Sequence, residues 1–401
     1  KYMIKTDSKL IDELLERGVD EVIIKDQLRQ RLLSGQKLRI KLGIDPTSPN
    51  LHLGRSIPLL KLRDLQQLGH QIILIIGDFT GVIGDTSDKD SERPMLSSEK
   101  IKENMTQYFK QAGQLIDLDS CEFHYNSQWL GKLTYGQIGE QADQFSVAEF
   151  IARDNIRRRL ETGSRVSVRE MLYPLMQGYD SVVVKADVEL GGTDQRFNLL
   201  AGRKLQEHFG QAPQNIIMTE LAEGTDGRKM SSSWGNTINF TDQPTAMYAK
   251  VMGIGDNLII KYFILMTRLP LSQVQEHQQA INNGGNPRDA KMALAKEIVS
   301  IYHGQTAADQ AEDYFIKVVQ QKTRPEDIVT IKLTKAEWSI IDLLLEIKAT
   351  TSRGEARRLI EQGGVKLSEQ VITDSQSLVK LNDEPILLQK GKKQFWYLVT
   401  E

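Results

Sequence analysis

The sequence predicts an α/β protein, with a doubly wound parallel-sheet domain followed by an all-helical domain and a small α+β unit. Three observations predict this. Apolar strand-like runs alternate with helical stretches up to residue 240, helical patterns alone fill 241–325, and the last 65 or so residues mix helix and strand again. At 401 residues the chain also exceeds a single hydrophobic core, which seldom grows past about 250 residues.

In the first domain, set at 1–240, Leu38, Ile40, Leu42 and Ile44 alternate onto one face of a strand. Leu51 to Leu68 reads as a helix stopped by Gly69. Ile72-Ile73-Leu74-Ile75-Ile76 is the continuous apolar run of a strand buried on both faces. Val182-Val183-Val184 and Ile216-Ile217-Met218 are further strand candidates. Ligands of doubly wound sheets sit outside the carboxyl ends of the strands, which puts the 45–55 and 77–86 segments at the site.

In the second domain, Pro244 to Met266 and Arg288 to Tyr302 look helical, with a loop at Asn282-Asn283-Gly284-Gly285-Asn286-Pro287. Lys322-Thr323-Arg324-Pro325-Glu326-Asp327 is polar, and a linker is set at 326–335. The third domain is set at 336–401. In it Ile340 to Ile347 has helical apolar periodicity, and Ser352-Arg353-Gly354-Glu355 has the spacing of a capping box. Gly363-Gly364 ends that helix, and Val365-Lys366-Leu367 follows as a strand.

A formal net charge of −2 argues against a general polyanion binder, so RNA contact has to come from a local stripe of Arg and Lys. Cys121 is the single cysteine, which excludes an intramolecular disulfide and a cysteine-rich zinc site. No segment approaches the roughly 20 apolar residues of a membrane span, and Lys1-Tyr2-Met3-Ile4-Lys5 leads into no apolar signal core. The expectation is a cytoplasmic protein without a membrane segment.

Two short motifs carry the chemistry. His52-Leu53-Gly54-Arg55 follows the turn Asp45-Pro46-Thr47-Ser48-Pro49-Asn50, and about 175 residues later comes Lys229-Met230-Ser231-Ser232-Ser233, entered through Gly224-Thr225-Asp226-Gly227-Arg228. A helix start with free N–H groups favours phosphate, and a neutral imidazole there can donate to a phosphoryl oxygen. Gly54 lets a flat adenine approach the backbone. A lysine in a Gly- and Ser-rich loop acts as a point charge on β- and γ-phosphates. Each motif alone is also compatible with an exposed histidine or an ordinary polar loop.

Tyr173, Gln177 and Asp180 fall on one helical face at i, i+4 and i+7. Gly191-Gly192-Thr193-Asp194-Gln195 is a glycine turn with polar groups at a strand end, where Asp194 can grip ribose hydroxyls. A purely structural polar network is the alternative for these groups.

Taken together, the two motifs resemble the nucleotide-binding signatures of class I aminoacyl-tRNA synthetases. From about residue 10 to the end the chain resembles the bacterial-type tyrosyl-tRNA synthetases, whose catalytic domain is Rossmann-like. The resemblance implies that Asp180 receives the phenolic hydroxyl of tyrosine, with Tyr173, Gln177 and Asp85 around the α-amino group and Gln195 near the carboxylate. It implies that Gly43, Asp45, Gly54, Gly192, Asp194 and Met230 face the nucleotide. Thr47 and His52 match phosphate-contacting positions, Lys229 belongs to the mobile loop, and Lys89 and Arg93 match basic positions near pyrophosphate.

ATP, accompanied by Mg²⁺, is then a substrate, with no tightly bound cofactor and no metal ligands of the chain's own. Arg353, Arg357, Arg358 and Lys366 resemble the RNA-contacting positions of an S4 domain, extended by Lys390, Lys392, Lys393, Phe395 and Trp396. The helical domain would meet the anticodon stem of tRNA(Tyr) by analogy. The family works as a homodimer, for which Phe145 to Leu160 is a candidate helix, equally consistent with an internal one.

Three positions depart from the family pattern. The first motif ends in Arg55 where His or Asn is usual. Ser232 stands where a second lysine is frequent. Lys41 occupies the place of a tyrosine that shares the substrate hydroxyl in many relatives, and is taken here as a tyrosine-site residue. Arg55 is expected to supply the phosphate charge that Ser232 lacks, the alternative being an arginine that points to solvent. The rival readings are a tryptophanyl enzyme, disfavoured by Asp180, a non-catalytic RNA-binding paralogue, and a nucleotidylyltransferase sharing the first motif alone.

Overall fold

A computed structural model describes residues 3–85, 97–320, 328–368, 370–382, 385–391 and 394–400. Two compact units divide at Gln305 and Thr306.

The first unit is built on a six-stranded sheet in the order β1-β6-β5-β2-β3-β4. The strands are β1 (Val19–Ile23), β2 (Arg39–Ile44), β3 (Gln71–Ile76), β4 (Glu122–Tyr125), β5 (Val188–Gly192) and β6 (Asn215–Thr219). All neighbouring pairs are parallel except β1 with β6. From β2 the chain runs outward to β3 and β4, then returns to the other side of β2 for β5 and β6. The strand order therefore reverses between β2 and β5, and a crevice opens at their carboxyl ends, Ile44 and Gly192.

Ile72 to Ile76 are at most 1 % exposed, as a strand covered on both faces requires. Ile73 and Ile75 pack on Val184 at the end of helix α2 (Val168–Val184), and Ile216 and Met218 pack on Leu199 of helix α3 (Arg196–His208). Helix α1 (Leu53–Gln67), whose first residues carry the first motif, lies against β3 and β5.

Helix α2 absorbs the strand expected at Val182-Val183-Val184, which forms its last turn. The helix is opened by a reciprocal Ser167–Glu170 capping box and ends at Lys185 in the left-handed conformation, φ 51°. The β-branched run follows local strand preference, yet it is held helical by tertiary packing of α2 along α3, with Val184 set against Ile73 and Ile75. The real strand begins four residues later, at Val188.

Between 244 and 303 the chain is helical, as expected. The single helix read over Pro244 to Met266 is two, Pro244–Met252 and Ile259–Met266, separated at Gly253-Ile254-Gly255. The helix Ile259–Met266 packs on α1. Arg268 clamps Asp64 of α1 with Nε at 2.9 Å and Nη2 at 2.7 Å, and Arg17 donates to the carbonyls of Phe263 and Ile264. These ties explain why residues up to 305 fall into one unit. Phe145 to Leu160 is likewise two short helices, Val147–Ile151 and Asp154–Glu161. Its arginines do not form a uniform face: Arg159 is buried against Glu170, and Arg153 lies over the ring of Phe197.

In the second unit a five-stranded sheet runs β10-β9-β12-β13-β7, beside a β11-β8 pair. The strands are β7 (Val329–Leu333), β8 (Glu337–Ser339), β9 (Val365–Leu367), β10 (Gln370–Ile372), β11 (Leu378–Lys380), β12 (Ile386–Lys390) and β13 (Gln394–Thr400). Strand β7 falls within the stretch read as a linker, pairing parallel with β13 from Val329 to Leu333. Ser352 caps the helix Arg353–Glu361 through Glu355 N, while the Glu355 carboxylate accepts from Thr351 rather than closing the box on Ser352. No helix among the described residues is long and apolar enough to cross a membrane.

Candidate active site

The crevice between the ends of β2 and β5 holds a cavity of about 760 Å³. Both motifs open into it, although they are far apart in sequence. Leu51 and Phe240 pair through Phe240 N–H to Leu51 O at 2.9 Å, and Leu53 N–H donates to Ile238 O. Gly54 N–H then reaches the Met230 sulfur at 3.2 Å. A Cβ on Gly54 would lie 3.1 Å from the His52 ring, so a side chain there would push on the imidazole.

His52 is the N-cap residue of α1 and is 8 % exposed. Burial, reinforced by the charges of Arg55 and Lys229, lowers the imidazole to about 3, so it is neutral at working pH. Its Nδ1 is buried without a hydrogen-bond partner among the described residues. Arg55 follows on the first turn of α1, exposed and lining the cavity with Ser232. Lys229 is fixed in a hairpin, where Met230 N–H donates to Ala222 O and the Asn236 amide holds the carbonyl of Lys229. Its ammonium donates to Asp194 Oδ2 at 2.8 Å.

At the floor of the cavity stands Asp180, 3 % exposed. Trp129 Nε1–H donates to its Oδ1 at 2.8 Å and Asn126 Nδ2–H to its Oδ2 at 3.2 Å. Burial raises this carboxyl to about 7, against the pull of Lys41 and those two hydrogen bonds. Tyr173 donates from its hydroxyl to Asp45 Oδ2 at 2.8 Å, and Thr80 donates to Asp45 Oδ1, also at 2.8 Å. Burial and the nearby carboxylates hold the Tyr173 phenol well above its ordinary range, leaving it a neutral donor. Gly77 is required by this arrangement, since a Cβ there would stand 1.8 Å from Asp45 Oδ1. Across the cavity Gln195 donates to Asp85 Oδ2 at 2.7 Å.

The cavity therefore brings together Gly43, Asp45, Thr47, His52, Gly54, Arg55, Asp85, Tyr173, Gln177, Asp180, Gly192, Asp194, Gln195, Lys229, Met230 and Ser232. Lys41, expected beside them, does not line it. The residue projects from β2 toward α2 and is 0 % exposed, with its ammonium enclosed by Gln177 O, Ser181 Oγ and Glu189. Lys89 and Arg93 lie outside the described residues, as do Lys392 and Lys393. Asn126 and Trp129 were not anticipated. They follow β4, a four-residue edge strand whose weak apolar pattern gave no signal. Among the described residues, no three His, Cys, Asp or Glu side chains cluster as a metal cage.

In the second unit Arg353, Arg357 and Arg358 are exposed on one helix, and Lys366 is half-buried on β9. Arg353 pairs with Asp342.

This site belongs to a known class. Residues 33–320 match the family described as tRNA synthetases class I (W and Y), and the chain belongs to that family. Residues 319–399 match the Tyrosine--tRNA ligase SYY-like C-terminal domain. A tyrosine–tRNA ligase of Thermotoga maritima is 44 % identical over 96 % of this chain and 96 % of its own. Tyrosine–tRNA ligase 2 of Clostridium acetobutylicum is 43 % identical over 98 % and 100 %. Within the class the chain is thus a member of the tyrosine–tRNA ligases. Its fold is shared with a truncated mitochondrial tyrosyl-tRNA synthetase of Coccidioides posadasii, TM-score 0.62 at 21 % identity over 76 % of this chain and 91 % of that one. It is shared also with the Archaeoglobus fulgidus tyrosyl-tRNA synthetase complexed with L-tyrosine, TM-score 0.61 at 24 % identity over 76 % and 100 %.

Proposed function

We propose that this cavity carries out both steps of tyrosine ligation to tRNA(Tyr). The observation that carries the reading is the placement of Asp180 in one cavity with His52 and Lys229. An ionised Asp180 accepts the phenolic O–H, a bond that phenylalanine cannot make. The rigid Trp129 and Asn126 donors hold the carboxylate in place before substrate arrives. Tyr173, Gln177 and Asp85 surround the α-ammonium, Gln195 faces the carboxylate, and Asp194, Gly192, Gly43 and Asp45 face the nucleoside.

In the first step a carboxylate oxygen of tyrosine attacks the α-phosphorus of ATP. The bond from that phosphorus to the bridging oxygen breaks, and pyrophosphate leaves with the electron pair. Charge then grows on the β- and γ-phosphates. The neutral His52 donates to them, while Lys229, Arg55, Thr47 and Ser232 add charge or hydrogen bonds where it develops. Lys229 must leave Asp194 to do so, which frees Asp194 for the ribose. Mg²⁺ enters with ATP as part of the substrate and neutralises phosphate charge. In the second step a terminal ribose hydroxyl of tRNA attacks the activated carbonyl, and AMP leaves.

Arg353, Arg357, Arg358 and Lys366 supply phosphate neutralisation for the tRNA. The enzyme is read as cytoplasmic and as a homodimer, and the dimer is supported by Val147, Ile151 and Leu160, each at least 40 % exposed on neighbouring helices. Pyrophosphate–ATP exchange without tRNA, run with each amino acid in turn, tests the activity. Exchange with tyrosine alone is expected; exchange with tryptophan alone, or none at all, overturns the proposal.

A further inference from the structure

Lys41 is charged and wholly buried behind the cavity rather than in it. It sits in register with Glu189, since β2 and β5 align Lys41 with Glu189 and Ile40 with Val188. Both side chains are 0 % exposed, and Lys41 Nζ lies 2.9 Å from Glu189 Oε1. The ammonium spends its other two protons on Gln177 O at 2.8 Å and Ser181 Oγ at 2.7 Å. Glu189 receives two further donors on Oε2, Ser181 Oγ at 3.1 Å and the Gln214 amide. Its remaining donor is Gln177 Nε2–H, at 3.1 Å from Oε1.

This arrangement fixes more than packing. An ionised carboxylate only accepts hydrogen bonds, so Glu189 dictates that the Gln177 amide turns its nitrogen inward. Because the amide is planar, its carbonyl oxygen is directed away from Glu189, and Gln177 lines the cavity. A buried ion pair is costly relative to apolar residues of the same shape, which makes its presence here informative.

We propose that Lys41 and Glu189 are positioning residues for amino-acid recognition, setting the Gln177 amide so that its oxygen, an acceptor, meets the bound tyrosine. The inference rests on the reading that Gln177 contacts tyrosine. Lys41 pairs with Glu189 and holds it in place, Glu189 orients Gln177, and Gln177 accepts from the substrate. Neither member of the pair touches the substrate.

The test measures tyrosine-dependent pyrophosphate exchange for wild type, Glu189→Gln, Lys41→Met and the double variant. A glutamine at 189 can donate as well as accept, so the Gln177 amide is free to turn over. The KM for tyrosine is expected to rise about tenfold in Glu189→Gln, with the KM for ATP changing less than twofold. Lys41→Met leaves a buried carboxylate unpaired and lowers Tm; the double variant removes both charges and recovers Tm while its tyrosine KM stays raised. A tyrosine KM that returns to the wild-type value together with Tm would mean a structural role alone, and would overturn the proposal, as would an unchanged KM in Glu189→Gln. Failure of wild-type protein to exchange with tyrosine would instead refute the reading of the site on which the inference rests.

Discussion

Raising the pH from 6 to 8 should tighten tyrosine binding about tenfold, through Asp180. The magnitude follows from the environment of that carboxyl. Burial lifts it from the ordinary 3.8 to about 7, while the Lys41 charge and the donors Trp129 and Asn126 pull it down and Glu189 pushes it up. A group titrating near 7 is roughly one-tenth ionised at pH 6 and nine-tenths at pH 8. The charged form is the stronger acceptor for a phenol, so affinity rises as the proton leaves. His52 adds nothing in this window, because it titrates near 3. The assay is equilibrium dialysis with labelled tyrosine at both pH values and phenylalanine in parallel. Phenylalanine affinity should not rise, and Asp180→Asn should flatten the tyrosine profile. Stability must move the opposite way. A carboxyl raised by folding costs stability as pH climbs from about 4 to 7, so Asp180→Asn should gain Tm relative to wild type at pH 8, and the gain should shrink to roughly a third at pH 5. Tyrosine affinity that is level from pH 6 to 8, or that changes equally for phenylalanine, would refute the argument.

Arg55→Ala should slow tyrosyl-adenylate formation by roughly 10- to 100-fold, the worth of one charge-assisted phosphate contact, and Ser232→Lys in that background should recover part of the loss; single-turnover adenylate formation decides it, and a rate no lower than that of a distant surface Arg→Ala variant would sink the compensation. Gly77→Ala should displace Asp45, given the 1.8 Å approach of a Cβ to its Oδ1, and cost at least about tenfold in kcat/KM for ATP, with Tm measured alongside to exclude unfolding. Arg357→Ala together with Arg358→Ala should raise the KM for tRNA and lower the log–log salt slope by about 1 to 2, while leaving pyrophosphate exchange without tRNA unchanged.

How far the sequence reached depended on whether a signal was local. The buried run Ile72–Ile76 and the alternation through Leu38 to Ile44 specify strands, because a sheet covered on both faces needs such runs whatever surrounds them. The two motifs at 52–55 and 229–233, and the i, i+4, i+7 face of Tyr173, Gln177 and Asp180, were likewise legible, because spacing on one helix or loop needs no knowledge of partners. Val182 to Val184 reads as a strand for the converse reason: local preference favours it, and packing of α2 along α3 overrides that preference. Asn126 and Trp129 were silent in sequence, since their meaning lies in where a short edge strand delivers them, against Asp180.

The same division explains Lys41. Sequence alone determined that a lysine stands on the strand that ends in the cavity. Which way its side chain faces follows from the pleat of β2, and what it meets there follows from the register with β5 and the packing of α2. Those are long-range facts. A buried charge is stable only where folding supplies partners for all its protons, and these partners come from Gln177, Ser181 and Glu189, about 140 positions further along the chain.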